Sequence, residues 1–246
     1  MRRLLGLSIA AAVAFGQQKS FVACPIVQDT KTVPCFLVEY EGETYFLGIQ
    51  QDISTPFHPP QLKHEVLVEG RVKAGPRVCG GIPLEPVAIS VNKEVNLSCN
   101  TLLPADPGVT APPAPRGAGP SSRRVAVAAP PKAPLTGVQE FVVPYQFNDD
   151  YLEFFANGVV SEAAAYAKKV AGAKVKVTGY RATSALSNGS KLVEKEGLAE
   201  KRAQSVATLL RGLGVSGVAV ESVSEAQAGD GVGDAGRRRV AIVVTP

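Results

Sequence analysis

The sequence predicts an α+β protein of two domains, a small all-β domain and a β-α-β-α-β-β domain with a mixed sheet, joined by a Pro/Ala-rich linker. Three observations predict it. All four cysteines of the 246 residues lie in the first hundred, among short runs that alternate apolar and polar residues. Nine prolines then fall between residues 104 and 134, among Ala, Gly and Ser. Helical periodicity appears only beyond residue 150.

The chain opens with Arg2 and Arg3, followed by an uncharged, mostly apolar run from Leu4 to Gly16. That run is too short to span a bilayer as a helix, which takes ~20 apolar residues. It ends in small residues, and Ala14-Phe15-Gly16 fits a signal-peptidase site with Gln17 as the new N-terminus, Ala12-Val13-Ala14 being a second cut. Residues 1–16 are therefore expected to be a signal peptide, with an uncleaved anchor helix as the alternative. The protein is expected to be exported, in the periplasm or associated with the outer membrane. Removing Arg2 and Arg3 lowers the formal charge from +4 to +2, which argues against nucleic acid as a partner.

In an exported chain, Cys24, Cys35, Cys79 and Cys99 read as two disulfides. Of three possible connectivities, Cys24–Cys35 and Cys79–Cys99 close the shortest loops between predicted strands. A zinc site is not expected, because no C-x-x-C occurs and His58 and His64 lack ligand spacing.

Residues 17–103 read as the β domain. Val33–Tyr40 and Thr44–Gln50 are rich in Val, Leu, Phe and Tyr and flank a Glu41-Gly42-Glu43 turn. His64–Val72 largely alternates, the pattern of a half-buried strand. Pro86–Val91 and, more weakly, Glu94–Leu97 follow. About five short strands predict a closed or nearly closed barrel, such as an OB-like fold. Residues 104–137 offer few large apolar side chains to bury, so they read as an extended, semi-rigid spacer.

The last domain spans 138–246. Gln139–Phe147 reads as a strand, with Asp149 and Asp150 at helix N-cap positions. A helix is expected over about 151–170, with Phe154, Val159, Ala163, Tyr166 and Val170 on its apolar face. Lys174–Tyr180 alternates as a strand. A second helix, from Leu192 or Leu198 to Arg211, turns Leu198, Val206, Leu209 and Leu210 inward and stops at Gly212 and Gly214. Val218–Val223 and Arg239–Val244 complete the sheet. The glycine-rich run 229–234 lacks the Lys-Ser/Thr of a phosphate loop and reads as a flexible surface loop.

No acid–base or nucleophile set assembles, so an enzyme is not expected and no cofactor is implied. Three segments stand out instead: Val175–Ala182, a strand running into a loop; Leu198–Val206, a helix start; and Arg238–Ile242, a closing strand. In order and spacing they resemble the OmpA-like peptidoglycan-binding family. That family has a strand ending Gly-His/Tyr-Thr-Asp, a helix beginning Leu-Ser-x-x-Arg-Ala-x-x-Val, and a closing Asn-Arg-Arg-Val strand. The resemblance covers the whole last domain and implies a site for the diaminopimelate residue of the peptidoglycan stem peptide. There Arg202 would fork onto the ligand carboxylate. Arg238 and Arg239 match the closing strand, and Arg239 is expected in the binding set.

The sequence departs from the family where the ligand ammonium should be received. Arg181 and Ala182 stand in place of Thr-Asp, and the loop from Gly179 to Leu198 is about five residues longer than the family's. Asn148, Asp149 or Asp150 would have to substitute. Two functional expectations follow. In the first, the chain is an envelope protein that binds peptidoglycan through Arg202, a partner weakened by Ala182, while the β domain meets an unidentified envelope protein. In the second, the OmpA-like domain has lost wall binding and serves as a periplasmic protein-interaction module.

Overall fold

Period-two alternation organises the first hundred residues into one sheet. In the computed structural model, which describes residues 16–50, 60–112 and 136–246, its strands are β1 (Gln18–Ala23), β2 (Pro25–Gln28), β3 (Cys35–Tyr40), β4 (Glu43–Ile49), β5 (His64–Val72), β6 (Ile82–Val95) and β7 (Thr101–Leu103). Residues 1–15 of the expected signal peptide and most of the expected linker lie outside the described residues.

The sheet order is β1-β5-β6-β4-β3-β2-β7, with seven strands where the sequence marked about five. β1, β2 and β7 are short and carry little periodic signal. β6 replaces two predicted strands with one. Its start pairs parallel with β4, through Tyr45 opposite Ile82, and its remainder pairs antiparallel with β5. Pro86 falls at the register shift between Gly70 and Val72, where a residue without an N–H is tolerated. The sheet curls strongly: Phe21 on β1 stacks on Tyr40 of β3 with ring centroids 4.2 Å apart. The expected barrel is thus a curled sheet whose edge strands, β1 and β7, do not pair with each other. Phe21, Val38, Tyr45, Leu47, Val66 and Val68 fill its core.

The disulfides differ from the expected pairing: they are Cys24–Cys99 and Cys35–Cys79. The cause is a long-range strand pairing. β2 runs parallel to β7, with Ile26 opposite Thr101, so the cysteines just before these two strands meet. Their separations of 75 and 44 residues restrict the unfolded chain more than two local loops would. The chain also stays on the sheet past residue 104. Val109 and Ala111 pack against Cys35, Cys79, Leu37 and Ile49.

The second sheet belongs to residues 139–245. Its elements are β8 (Gln139–Pro144), α1 (Phe154–Lys169), β9 (Lys174–Gly179), β10 (Thr183–Ala185), β11 (Lys191–Val193), α2 (Leu198–Gly212), β12 (Val218–Ser222), a 3-10 turn (Asp234–Arg237) and β13 (Arg239–Thr245). The predicted β-α-β-α-β-β order holds, with a hairpin, β10–β11, inserted before α2. The sheet order is β12-β9-β13-β8, with β9 and β12 parallel and β13 antiparallel to both of its neighbours. Val143, Val177, Val240 and Ile242 meet Val160, Ala163, Val206 and Leu210 of the two helices in one core.

Two local expectations fail for stated reasons. Asp149 and Asp150 do not cap α1, whose N-cap is Glu153. The Asp149 carboxylate instead accepts the Tyr151 N–H at 2.9 Å, closing a turn ahead of the helix. Leu209 is 39% exposed while Leu210 is fully buried, since consecutive helix positions point about 100° apart. The end of α2 is as expected. Gly214 adopts φ +84°, and the N–H of Val215 reaches back to the Leu210 carbonyl at 3.0 Å, a left-handed glycine stop.

Candidate functional site

The site begins with a glycine. At the end of β9, a Cβ on Gly179 would sit 1.9 Å from the carbonyl oxygen of Ala199. Only glycine lets the strand end approach α2 that closely. Arg202, one turn into α2, is thereby carried against the residues that follow β8 and β9, and it is fully buried.

Every N–H of the Arg202 guanidinium has a partner. Nε donates to the Asp149 carbonyl at 2.7 Å. Nη1 donates to the Tyr180 carbonyl at 3.1 Å and to Glu194 Oε2 at 2.9 Å. Nη2 donates to the Gln146 carbonyl at 3.0 Å and to Glu194 Oε1 at 2.6 Å. Glu194 is itself 1% exposed and accepts two further backbone N–H groups, from Asn148 on Oε1 and Ala182 on Oε2. This is the fork-on-carboxylate geometry expected for a ligand, built from the chain's own glutamate. The Tyr145 ring lies under the guanidinium, 4.8 Å from centroid to Cζ. Burial pushes the Tyr145 phenol well above its usual range, against the opposing pull of Arg202. Its hydroxyl has no hydrogen-bond partner among the described residues.

The turn after β8 makes this possible. Asn148 adopts φ +55°. That lets the carbonyls of Gln146 and Asp149 converge on Arg202 while the Asn148 N–H faces Glu194. The Asn148 side chain accepts the Lys195 N–H at 2.8 Å, fixing the segment that carries Glu194. Arg181 does not point at the site as a bare charge: it donates to the Ser224 and Glu194 carbonyls, both at 2.7 Å. Ala182 is fully buried. An aspartate there would place a second carboxylate beside Glu194 in a dry site, where two such charges repel strongly.

A second buried arginine joins the two sheets. Arg238, 1% exposed, pairs through Nη1 and Nη2 with Glu69 on β5. Glu69 also accepts the Ser184 hydroxyl of β10 at 2.8 Å. Around this pair the Ser187 N–H donates to the Ser20 carbonyl and the Ser20 N–H to Ser187 Oγ. The Phe147 N–H donates to Ser90 Oγ, the Val91 N–H to Gln146 Oε1, and Lys93 pairs with Asp149 at 2.7 Å. β5 is consequently buried on both faces, and not half-buried as its alternation implied. Val66 and Val68 face the core of the curled sheet, while Leu67 and Glu69 are buried as well. Beside the seam a cleft of about 270 Å³ is lined by Leu67, Phe147, Leu192, Lys93 and Lys195, among others.

Of the expected binding residues, the structure brings Asn148, Asp149 and Arg202 together. Arg239 shares only Tyr180 with that group: its guanidinium stacks 4.7 Å over the Tyr180 ring and bonds to Gln227 and the Gly236 carbonyl. Its neighbour Arg238 is the buried one. The glycine-rich run is not a loose surface loop. Buried Asp234 accepts N–H groups from Asp230, Gly231 and, on β10, Ala185. Glu194, Glu69 and Ser184 were missed by sequence reasoning. For Glu194 the signal was the extra length before α2; for Glu69 it was the unbroken Val66-Leu67-Val68 run ahead of a charge.

No family model matches the chain, and no curated protein matches it. Among solved structures it is similar to the OmpA-like domain of FopA1 from Francisella tularensis subsp. tularensis SCHU S4, at 18% identity and TM-score 0.36 over 44% of this chain and 73% of that one. It is similar to the peptidoglycan-associated lipoprotein from Burkholderia pseudomallei, at 21% identity and TM-score 0.35 over 43% and 90%. It is also similar to the cell wall anchor of the T6SS from Pseudomonas aeruginosa, at 22% identity and TM-score 0.33 over 44% and 82%.

Proposed function

We propose that this chain is an exported cell-envelope protein whose C-terminal half is an OmpA-like module with its ligand fork filled from within, and that it acts as a periplasmic protein-interaction module and not as a wall anchor. One observation carries the reading: all five N–H groups of Arg202 are used, two of them by Glu194. A wall peptide would have to expel a buried carboxylate that is itself held by the Asn148 and Ala182 N–H groups. Breaking such a buried pair costs about 3–5 kcal/mol, which an external carboxylate would have to repay in full. Ala182 supports the same reading, because it leaves the ligand ammonium without its carboxylate. Export is supported by the Arg2-Arg3 start, the short apolar run after it and the two disulfides. In this reading the N-terminal sheet presents the surface for an envelope protein, and the chain catalyses nothing.

The test is sedimentation with isolated sacculi. The purified chain from Gln17 onward is expected to remain in the supernatant. Pelleting that disappears in an Arg202→Ala variant would overturn the proposal in favour of wall anchoring. Release of soluble muropeptides from the sacculi would overturn the non-catalytic part.

A further inference from the structure

The filled fork raises the question of what keeps it filled. Glu194 directly follows the β10–β11 hairpin, whose strands have three residues each and pair only with each other. A lone two-stranded hairpin is marginal in water, so its position depends on anchors at its flanks. One set belongs to its own half: the Ala185 N–H on Asp234 at 2.9 Å, the Thr183 N–H on the Gln227 carbonyl at 2.8 Å, and Ser184 Oγ, which accepts from Arg238 Nη1 at 2.9 Å. The other set comes from the N-terminal sheet. Glu69 accepts Ser184 Oγ, and Ser20 exchanges two hydrogen bonds with Ser187 at 2.7 and 2.9 Å.

We propose that Glu194 is a built-in stand-in for an external carboxylate, and that the N-terminal sheet, through Glu69 and Ser20, is the latch that keeps the hairpin and Glu194 in the Arg202 fork. This rests on the filled-fork reading above and adds its regulation. When the two sheets part, Ser184 and Ser187 lose their partners across the seam. The hairpin then swings on its remaining contacts, and Glu194 withdraws. Arg202 is left on α2 with two forked N–H groups unpaired, aimed at the space Glu194 has vacated. An external carboxylate of the same bidentate geometry replaces it. Anything that binds the N-terminal sheet on its seam face therefore exposes the fork, because it competes with Glu69 and Ser20 for the same strands.

Two variants test the latch without touching the fork. Glu69→Ala removes the main contact. Ser184→Ala/Ser187→Ala removes the hairpin's side-chain contacts, including the one from Arg238 Nη1 to Ser184, and leaves the Arg238–Glu69 pair itself in place, so it carries the test alone if Glu69→Ala loses cooperative melting. The probe is isolated sacculi. The expected result is wild type in the supernatant and a latch variant bound at least ten-fold more. Adding Arg202→Lys, which keeps the charge but loses the fork, should return that variant to the supernatant. In parallel, hydrogen exchange at the Ala182 and Ser187 amides should quicken at least ten-fold in the variant while Ala185, β9 and β13 stay protected. Folded variants that stay soluble, with or without faster hairpin exchange, overturn the latch and leave the filled-fork reading standing. Pelleting that survives Arg202→Lys overturns it too. Pelleting of the wild type counts against the filled-fork reading itself.

Discussion

Two arginine–glutamate pairs lie buried among the described residues, and they are not equivalent. Arg202 and Glu194 are eight residues apart, and each of the five guanidinium N–H groups has a partner. Arg238 and Glu69 are 169 residues apart and join different sheets. Arg238 Nε has no hydrogen-bond partner among the described residues. A buried charge network is worth most when every member is satisfied. The first pair is therefore a closed unit within one half of the chain. The second holds two halves together with part of its hydrogen-bonding capacity unused.

The strongest way to break this contrast is Arg202→Met. It strands Glu194 as a buried, uncompensated charge and should lower stability by about 3–5 kcal/mol, read from urea unfolding. Adding Glu194→Leu should recover most of that loss; no recovery would mean that the pair acts through more than its own charges. At the seam, Glu69→Gln keeps the shape but removes the charge. It should cost about 1.5–3 kcal/mol, the range for hydrogen bonds to charged groups. A larger loss than for Arg202→Met would invert the comparison.

A smaller effect is expected at the rim of the seam. Burial raises the Asp149 carboxyl, but the hydrogen bond from Lys93 and the Tyr151 and Asp150 N–H groups outweigh it, leaving its pKa below the usual value. A lowered acid pKa stabilises the fold above the unfolded value near ~3.9, and that contribution disappears as pH falls through the folded value. Lys93 is largely exposed, so the pair contributes under about 1 kcal/mol. Melting temperatures of the wild type and Asp149→Asn, compared from pH 5 down to pH 2, should converge at the acid end. Parallel curves would remove Asp149 from the account. The smallest change is Tyr145→Phe. It deletes a buried hydroxyl without a partner and should leave stability unchanged or raise it by up to about 1 kcal/mol. A loss would show that the hydroxyl is satisfied in solution.

What was legible in the sequence followed the range of the interactions. Helix α2, its glycine stop and the alternation of β9 and β13 are local patterns, and they were read within a few residues. Arg202 stood out in the sequence, but its partner Glu194 did not, because nothing local distinguishes Glu194 from Glu196 two residues on. The disulfide pairing failed for the same reason. It depends on β2 lying beside β7, a neighbourhood set by the whole sheet. Glu69 was invisible because a charge on an alternating strand reads as a solvent-facing residue until a second layer covers it. The Arg238–Arg239 pair shows the limit most sharply. Two adjacent identical residues have opposite fates, one buried against another sheet and one stacked on Tyr180.

Both covalent bridges lie on one side of the seam, within the curled sheet. This matters under tension. Cys24–Cys99 closes the chain between β1 and β7, so under a pull on the sheet's termini everything from β2 to β6 is held by a bond that does not unravel, and the edge strands β1 and β7 lie outside it. A pull between the halves is resisted by non-covalent contacts such as Arg238–Glu69 and Lys93–Asp149. Mechanical load is therefore expected to part the halves before it opens the disulfide-bearing sheet.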